Sequence, residues 1–327
     1  MTKSPNPYYQ GPPSDHFDGT RFFNPGQPAT DRSLAEILRW RRGSRPAIWP
    51  QSVPVTATVP EARVDGVRIT MVGHATLLIQ AAGLNMLTDP VWSGRASPLR
   101  FAGPKRVTAP GIAFDALPPI HVVLLSHNHY DHLDLATLKQ IEAAHRPLFV
   151  MPLVNDAIVL KAVPGARIVT GDWGDAVDLG QGIEAHLVPA NHWSSRGVRD
   201  RRMALWCGYV IKTAFGMVWF AGDTGYGDGA IFRDLRARHG EPDISLIPIG
   251  AYEPRWFMAA QHVNPEEAVR IMLDTGTKRA IGIHWGTFQL TDEGREEPLV
   301  ALEAALAEAG IDTAAFVAGV PGAVYEG

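Results

Sequence analysis

Leu124-Leu125-Ser126-His127-Asn128-His129-Tyr130-Asp131-His132-Leu133 packs three histidines and an aspartate into six residues, directly behind the apolar run Ile120 to Leu125. A short run of Val and Leu bounded by polar residues reads as a buried strand. It delivers the four side chains to a loop at its carboxyl end, where open α/β sheets usually place their sites. An isolated H-x-H would fit a surface loop that binds metal adventitiously. H-x-H-x-D-H behind a buried strand already holds enough ligands for parts of two metal sites. Nitrogen and oxygen donors without thiolate suit zinc, manganese or iron in a catalytic setting, whereas a closed structural zinc site would be richer in cysteine.

Three more candidate ligands stand in the same kind of place. His192 follows Ala185 to Ala190, Asp223 follows Met217 to Ala221 in F-A-G-D-T-G, and His284 ends Arg279 to Ile283 in A-I-G-I-H-W-G. Each one alone is more often a hydrogen-bonded histidine or a turn aspartate. Their recurrence at strand ends predicts that one sheet edge collects all seven side chains.

The order H-x-H-x-D-H, then His, Asp and His, resembles the metallo-β-lactamase superfamily from about Thr70 to Glu308. Within it, the phrases G-H-A-T (Gly73 to Thr76), L-T-D-P (Leu87 to Pro90), L-S-H-N-H-Y-D-H-L-D (Leu125 to Asp134), F-A-G-D-T-G-Y (Phe220 to Tyr226), I-P-I-G-A-Y-E-P-R-W-F-M (Ile247 to Met258), Q-H-V-N-P-E-E-A-V (Gln261 to Val269) and I-H-W-G-T-F (Ile283 to Phe288) resemble the N-acylphosphatidylethanolamine-hydrolysing phospholipase D branch. The resemblance implies an α/β fold, a four-layer αββα sandwich of two mixed sheets with outer helices. It implies two Zn2+ per chain, with Mn2+ or Fe2+ as alternatives. His127, His129 and His192 would hold the first ion, Asp131, His132 and His284 the second, and Asp223 would bridge them. His129 stands where the di-iron, oxygen-reducing branch has a glutamate, which argues against a redox role.

Two divalent ions about 3.5–4 Å apart can share a hydroxide made at neutral pH and neutralise charge on the group it attacks. Hydrolysis is the natural reaction class, and a phosphodiester suits it because charge concentrates on phosphoryl oxygens in the transition state. The implied activity is that of a zinc-dependent phosphodiesterase cleaving N-acylphosphatidylethanolamine to N-acylethanolamine and phosphatidic acid through a metal-bridging hydroxide. Alternatives are another dimetal hydrolase on the same fold, acting on cyclic or nucleotide phosphodiesters or lactones, and a non-enzymatic lipid or metal sensor. A sensor should lack a ligand, and none is missing.

Around the ligands, Asp89 ends the run Leu84 to Thr88 and resembles the carboxylate that orients a metal-binding histidine. His74 in G-H-A-T could support the site or be a satisfied core residue. Asp131 and His262 are the candidate catalytic groups. His262 precedes a helix start, Asn264-Pro265-Glu266-Glu267, whose positive pole disfavours an imidazolium. A neutral imidazole there could donate to a phosphoryl oxygen. Tyr252, Arg255, Trp256, Phe257 and Met258 are candidate substrate contacts, the last three lining an acyl passage, although an aromatic stretch near a strand end suits a core equally well.

The chain has 327 residues with 46% hydrophobic content, enough for a sizeable core. Strand-like runs alternate with helical stretches such as Leu135 to Ala144, Pro265 to Asp274 and Pro298 to Ala309 without a linker. Residues 61–327 therefore read as one catalytic domain, and 1–60 as an extended arm with a short amphipathic helix. In that helix Leu34, Ile37, Leu38 and Arg41 would share one face, leaving Arg39, Trp40 and Arg42 to meet anionic headgroups. The expected partners are a phospholipid and, peripherally, a membrane surface; family members can also pair as homodimers. A formal charge of −4 speaks against a nucleic-acid partner. The first residues lack signal-peptide features, no apolar run reaches the ~20 residues of a membrane helix, and one cysteine, Cys207, excludes an internal disulfide. A cytoplasmic location, with contact at the inner face of the membrane, is the expectation.

Overall fold

The computed structural model describes residues 6–327. Two seven-stranded sheets face each other. The first contains β1 (Val67–Gly73), β2 (Thr76–Ala81), β3 (Leu84–Thr88), β4 (Val122–Leu124), β5 (Leu148–Pro152) and β6 (Arg167–Gly171). The second contains β7 (Ala176–Gly180), β8 (Ile183–Val188), β9 (Gly208–Thr213), β10 (Gly216–Phe220), β11 (Ile244–Pro248), β12 (Arg279–Ile283) and β13 (Phe316–Ala318), and the chain then returns as β14 (Val324–Glu326) to pair with β1. Among the helices, α1 (Leu34–Gly43) belongs to the N-terminal segment, α2 (Leu135–His145) and α3 (Asn155–Ala162) to the first half, and α4 (Ala230–His239), α5 (Arg255–Met258), α6 (Pro265–Thr275) and α7 (Glu297–Ala309) to the second.

The burial pattern explains the layering. β2 is buried at every position, so it must be covered on both faces. Its Leu77 and Ile79 face the second sheet, packing with Tyr209, Ile211 and Phe220, while Leu78 faces the other way, with Leu138 and Ile141 of α2. The second sheet repeats the arrangement, with Trp219 and Ile247 against Phe232 of α4, Val269 of α6 and Leu302 of α7. The result is the αββα sandwich expected from the sequence.

Strand direction brings the site together. β3, β4, β5 and β6 are parallel, and β1 runs with them because two antiparallel steps through β2 restore direction. β10, β11 and β12 are parallel, and β8 shares their direction through β9. The carboxyl ends of β1, β3, β4, β8, β10 and β12 thus point to one edge of the sandwich.

The N-terminal segment is tied to this body. Phe17 and Phe22 are almost fully buried with Val154, Ala190 and Trp206, each such burial contributing about 1.5–3 kcal/mol. His16 lies between Asp15 (2.6 Å) and Asp172 (2.7 Å). Burial opposes a charge on this imidazole, but the hydrogen bonds to Asp172 and Asp15 outweigh it and raise its pKa. A capping box of Ser33 and Glu36 starts α1, which has no buried residue. Its orientation corrects the expectation from helical periodicity: Trp40 turns inward, its ring tilted against Phe257 at 4.7 Å and its indole N–H donating to Asp292, while Leu34 and Leu38 are exposed. Periodicity identified faces that differ but could not say which one docks. Among the described residues no helix is long and apolar enough to cross a membrane.

Candidate metal centre

The loop after β4 carries His127, His129, Asp131 and His132; His192 follows β8, Asp223 follows β10 and His284 follows β12. His127, His129, His192 and Asp223 form one nest of potential ligand atoms, all within 4.8 Å of one another. His74, Asp131, His132 and His284 form a second nest under the same limit. Asp223 Oδ2 lies between the two, 3.8 Å from His127 Nε2 and 3.7 Å from His192 Nε2 on one side, and 3.1 Å from His132 Nε2 and 3.2 Å from His284 Nε2 on the other.

The remaining ring nitrogens show how the imidazoles are aimed. His132 Nδ1 meets Asp89 Oδ2 at 2.6 Å, His192 Nδ1 donates to the Gln261 carbonyl at 2.9 Å, and His127 Nδ1 meets Ser126 Oγ at 2.9 Å. Each partner turns Nε2 inward, as outer hydrogen bonds do for ligating histidines. Ser126 also donates its backbone N–H and hydroxyl to Asp89. His74 Nε2 lies 2.9 Å from Asp131 Oδ2, and its ring lies tilted against His284 with centroids 4.0 Å apart. His74, Asp89 and His284 hold positive φ angles of 60°, 32° and 62°, a concentration of backbone strain at one edge.

The donor set fits divalent cations. Asp223 Oδ1 is buried without a hydrogen-bond partner, an arrangement that costs free energy unless something else meets its lone pairs. His129 Nδ1 stands 2.9 Å from His127 Nε2 and 3.2 Å from His192 Nε2, three nitrogens converging on one space. Electrostatics agrees. Burial holds His129 and His192 down to about 3 and His127 well below its ordinary value, so the first nest presents neutral imidazoles. In the second, burial holds His74 down to about 3, but Asp223 and the hydrogen-bonded Asp131 raise His284 to about 9, and Asp223, Asp131 and Asp89 raise His132 well above its ordinary value. Both Asp131 and Asp223 remain ionised despite burial because His132 faces them. Two carboxylates thus demand positive charge here, which protons on His132 and His284 or bound cations can supply.

Residues 84–285, spanning all seven of these side chains, match the β-lactamase superfamily domain. The chain belongs to the metallo-β-lactamase superfamily. It is similar to an N-acyl-phosphatidylethanolamine-hydrolyzing phospholipase D of Caenorhabditis elegans, with 38% identity covering 72% of this chain and 68% of the relative, which places it in that branch. It is also 29% identical to a metal-dependent hydrolase of Pyrobaculum calidifontis, covering 72% of this chain and 92% of the relative. Among solved structures, an isothiocyanate hydrolase from Delia radicum gut bacteria shares the fold, with a TM-score of 0.63 and 19% identity, covering 80% of this chain and 99% of that one. The protein is a metal-dependent hydrolase of the metallo-β-lactamase fold with His/Asp clusters able to bind metal.

The superfamily edge also positions the other expected residues. His262 is buried, its Nδ1 3.9 Å from Asp223 Oδ2, and its ring stacks on His284 at 5.4 Å and meets His192 edge-on at 5.1 Å. Its pKa falls to about 3, chiefly by burial. The helix pole invoked from the sequence is not the main cause, since Asn264 and Glu267 already close the start of α6 with a capping box. Arg255, a candidate substrate contact, donates to the His262 carbonyl at 2.9 Å and pairs with Glu267 at 2.6 Å, bracing the His262 loop. Phe257 and Met258 are buried, whereas Trp256 is 41% exposed with Arg39 over its ring. Tyr252 is buried, and burial together with the nearby Glu293 pushes its hydroxyl pKa up.

Sequence reasoning missed Ser126, Arg196 and Gln261. Arg196 donates to the carbonyls of Asn128 (2.9 Å) and Leu133 (2.8 Å), clamping both ends of the histidine loop. Ser126 could have been found from its place between the strand and the first ligand. Gln261 acts through its backbone and Arg196 from a distant loop, so neither leaves a local signal.

Proposed function

We propose that the protein is a zinc-dependent phosphodiesterase of phospholipase D type, hydrolysing N-acylphosphatidylethanolamine to N-acylethanolamine and phosphatidic acid. The observation that carries this reading is the C. elegans phospholipase D likeness, 38% identical over 246 residues, together with His/Asp clusters able to bind metal. In this reading residues 61–327 form the catalytic domain and 1–60 an arm. His127, His129 and His192 would hold one Zn2+, Asp131, His132 and His284 the other, and Asp223 would be shared by both. Bound there, the ions would lower the pKa of water and neutralise phosphoryl charge. His74 steadies Asp131, and Asp89 fixes His132 in one tautomer. Neutral His262, facing the shared carboxylate from outside both nests, is the group that donates a hydrogen bond to the phosphoryl oxygens. Trp256 is the accessible member of the candidate acyl contacts.

The exposed Leu34 and Leu38 of α1, with Arg41 and Arg42 in its last turn, support peripheral contact with an anionic membrane from the cytoplasmic side. Zinc-loaded protein offered a panel of phosphodiester lipids, soluble nucleotide diesters and lactones should have its largest kcat/KM on the N-acylated lipid. Acyl contacts contribute about 0.8 kcal/mol per buried methylene, so shortening the chains should lower kcat/KM stepwise. Equal kcat/KM for a long-chain lipid and a short soluble analogue, below any micelle concentration, would reject the lipid reading in favour of a general diesterase.

A further inference from the structure

Beside the metal loop lies a cavity of about 820 Å³ whose charge contradicts that of the whole chain. The protein carries a formal −4, yet this cavity is lined by Arg95, Arg100, Lys105 and Arg196 against the single carboxylate of Asp134. That carboxylate is already spent. It caps α2 through the backbone N–H groups of Ala136 and Thr137 and also accepts from the Thr137 hydroxyl and the Ser93 N–H. Among the described residues no ion pair involves Arg95, Arg100 or Lys105; the guanidinium of Arg95 donates to the uncharged Gly103 carbonyl. Arg100 and Lys105 are exposed, pointing their charge at the cavity without a partner.

None of the seven candidate ligands lines this space, so it is a separate cavity. It touches the metal loop through Tyr130, whose ring lies 4.0 Å under the Arg196 guanidinium. Concentrated, uncompensated cations on an acidic protein repel one another, a cost that an anion removes. Guanidinium forks and an ammonium together with the serine hydroxyls at 93 and 97 match phosphate oxygens. The volume is more than a free phosphate needs and lies in the range of small-molecule sites. Its lining includes Leu99, 47% exposed, and nearby Phe101 is 80% exposed, which suits an apolar body attached to the anion.

We propose that this cavity is a second, non-catalytic site that binds a terminal phosphate group, free or as a phosphomonoester, with Arg100 and Lys105 as its accessible cations. The proposal does not depend on which diester the metal edge hydrolyses. The phosphate could come from a lipid headgroup or from solution, and titration separates the two. Metal-loaded full-length protein would be titrated calorimetrically with inorganic phosphate and with a short-chain phosphatidic acid below its micelle concentration. The Arg100→Glu/Lys105→Glu variant should bind the anion of this site at least tenfold more weakly. Its metal content and basal hydrolysis should stay at the wild-type level, which also checks that it is folded. The milder Arg100→Gln/Lys105→Gln should lose several-fold and show a shallower dependence of affinity on salt. Tenfold tighter binding of the phosphatidic acid than of phosphate assigns the site to a lipid headgroup, and equal affinities assign it to free phosphate. Binding of both anions within twofold of wild type in both variants would overturn the proposal, whether or not the enzyme cleaves the lipid.

Discussion

The two nests that share Asp223 differ in charge although both are built mainly of imidazole. The first has three histidines and no carboxylate of its own, and burial keeps all three neutral. The second has Asp131 inside and Asp89 behind, and there His132 and His284 are driven towards the protonated form. Burial is the same in kind on both sides. What separates His132 and His284 from the first nest is the number of carboxylates they face, since His74, in the same nest, is still held down to about 3 by burial and by His284 despite its hydrogen bond to Asp131.

The strongest way to break the comparison is to remove what joins the nests. Asp223→Ala should leave less than one metal ion per chain and reduce hydrolysis to near background, because each nest loses its shared carboxylate. Elemental analysis after zinc saturation decides it, and retention of two ions would mean that Asp223 is not a bridge. A smaller but still large effect is expected at His262, which touches both nests and belongs to neither. His262→Ala should lower kcat by roughly 10²–10⁴-fold with unchanged metal content, as for a positioned hydrogen-bonding or acid–base group. Loss of a metal ion in that variant would instead make His262 a ligand. Smallest is Asp89→Asn, which withdraws charge from behind one histidine. It should weaken the second ion by about 10–100-fold while leaving the first within threefold, a contrast that competition with a chelator can measure. Equal weakening of both would erase the distinction.

The chain also separates into what local sequence announces and what it does not. β3 and β12 occupy the stretches expected, Leu84–Thr88 and Arg279–Ile283, because continuous apolar runs closed by turn residues have few other uses. The run expected from Ile120 shortens to Val122–Leu124, although His121 and Leu125 on either side still exchange backbone hydrogen bonds with Asn85, Leu148 and Val150 of the neighbouring strands. α6 starts at Pro265 as its Asn-Pro-Glu-Glu signal requires. The N-terminal segment looked extended from its Pro and Gly content, yet Phe17 and Phe22 are buried in it, since isolated aromatics carry no periodicity to mark them.

By itself, then, the sequence placed seven candidate ligands behind strand-like runs and so at one edge, because a ligand placed after a buried strand inherits that strand's direction, while the sandwich was implied by the family resemblance. Tertiary structure alone decided the charges and the bracing. Burial holds the His129 pKa low, whereas Asp223 from β10 and Asp89 from β3 join the adjacent Asp131 in raising that of His132. That Arg255 supports His262, that Trp40 faces inward, and that Arg95, Arg100 and Lys105 gather around a space beside Tyr130 depends likewise on contacts between segments far apart in the chain. Hydrophobic periodicity is a local property that one strand displays alone, whereas electrostatic environment is a sum over neighbours that only the folded chain supplies.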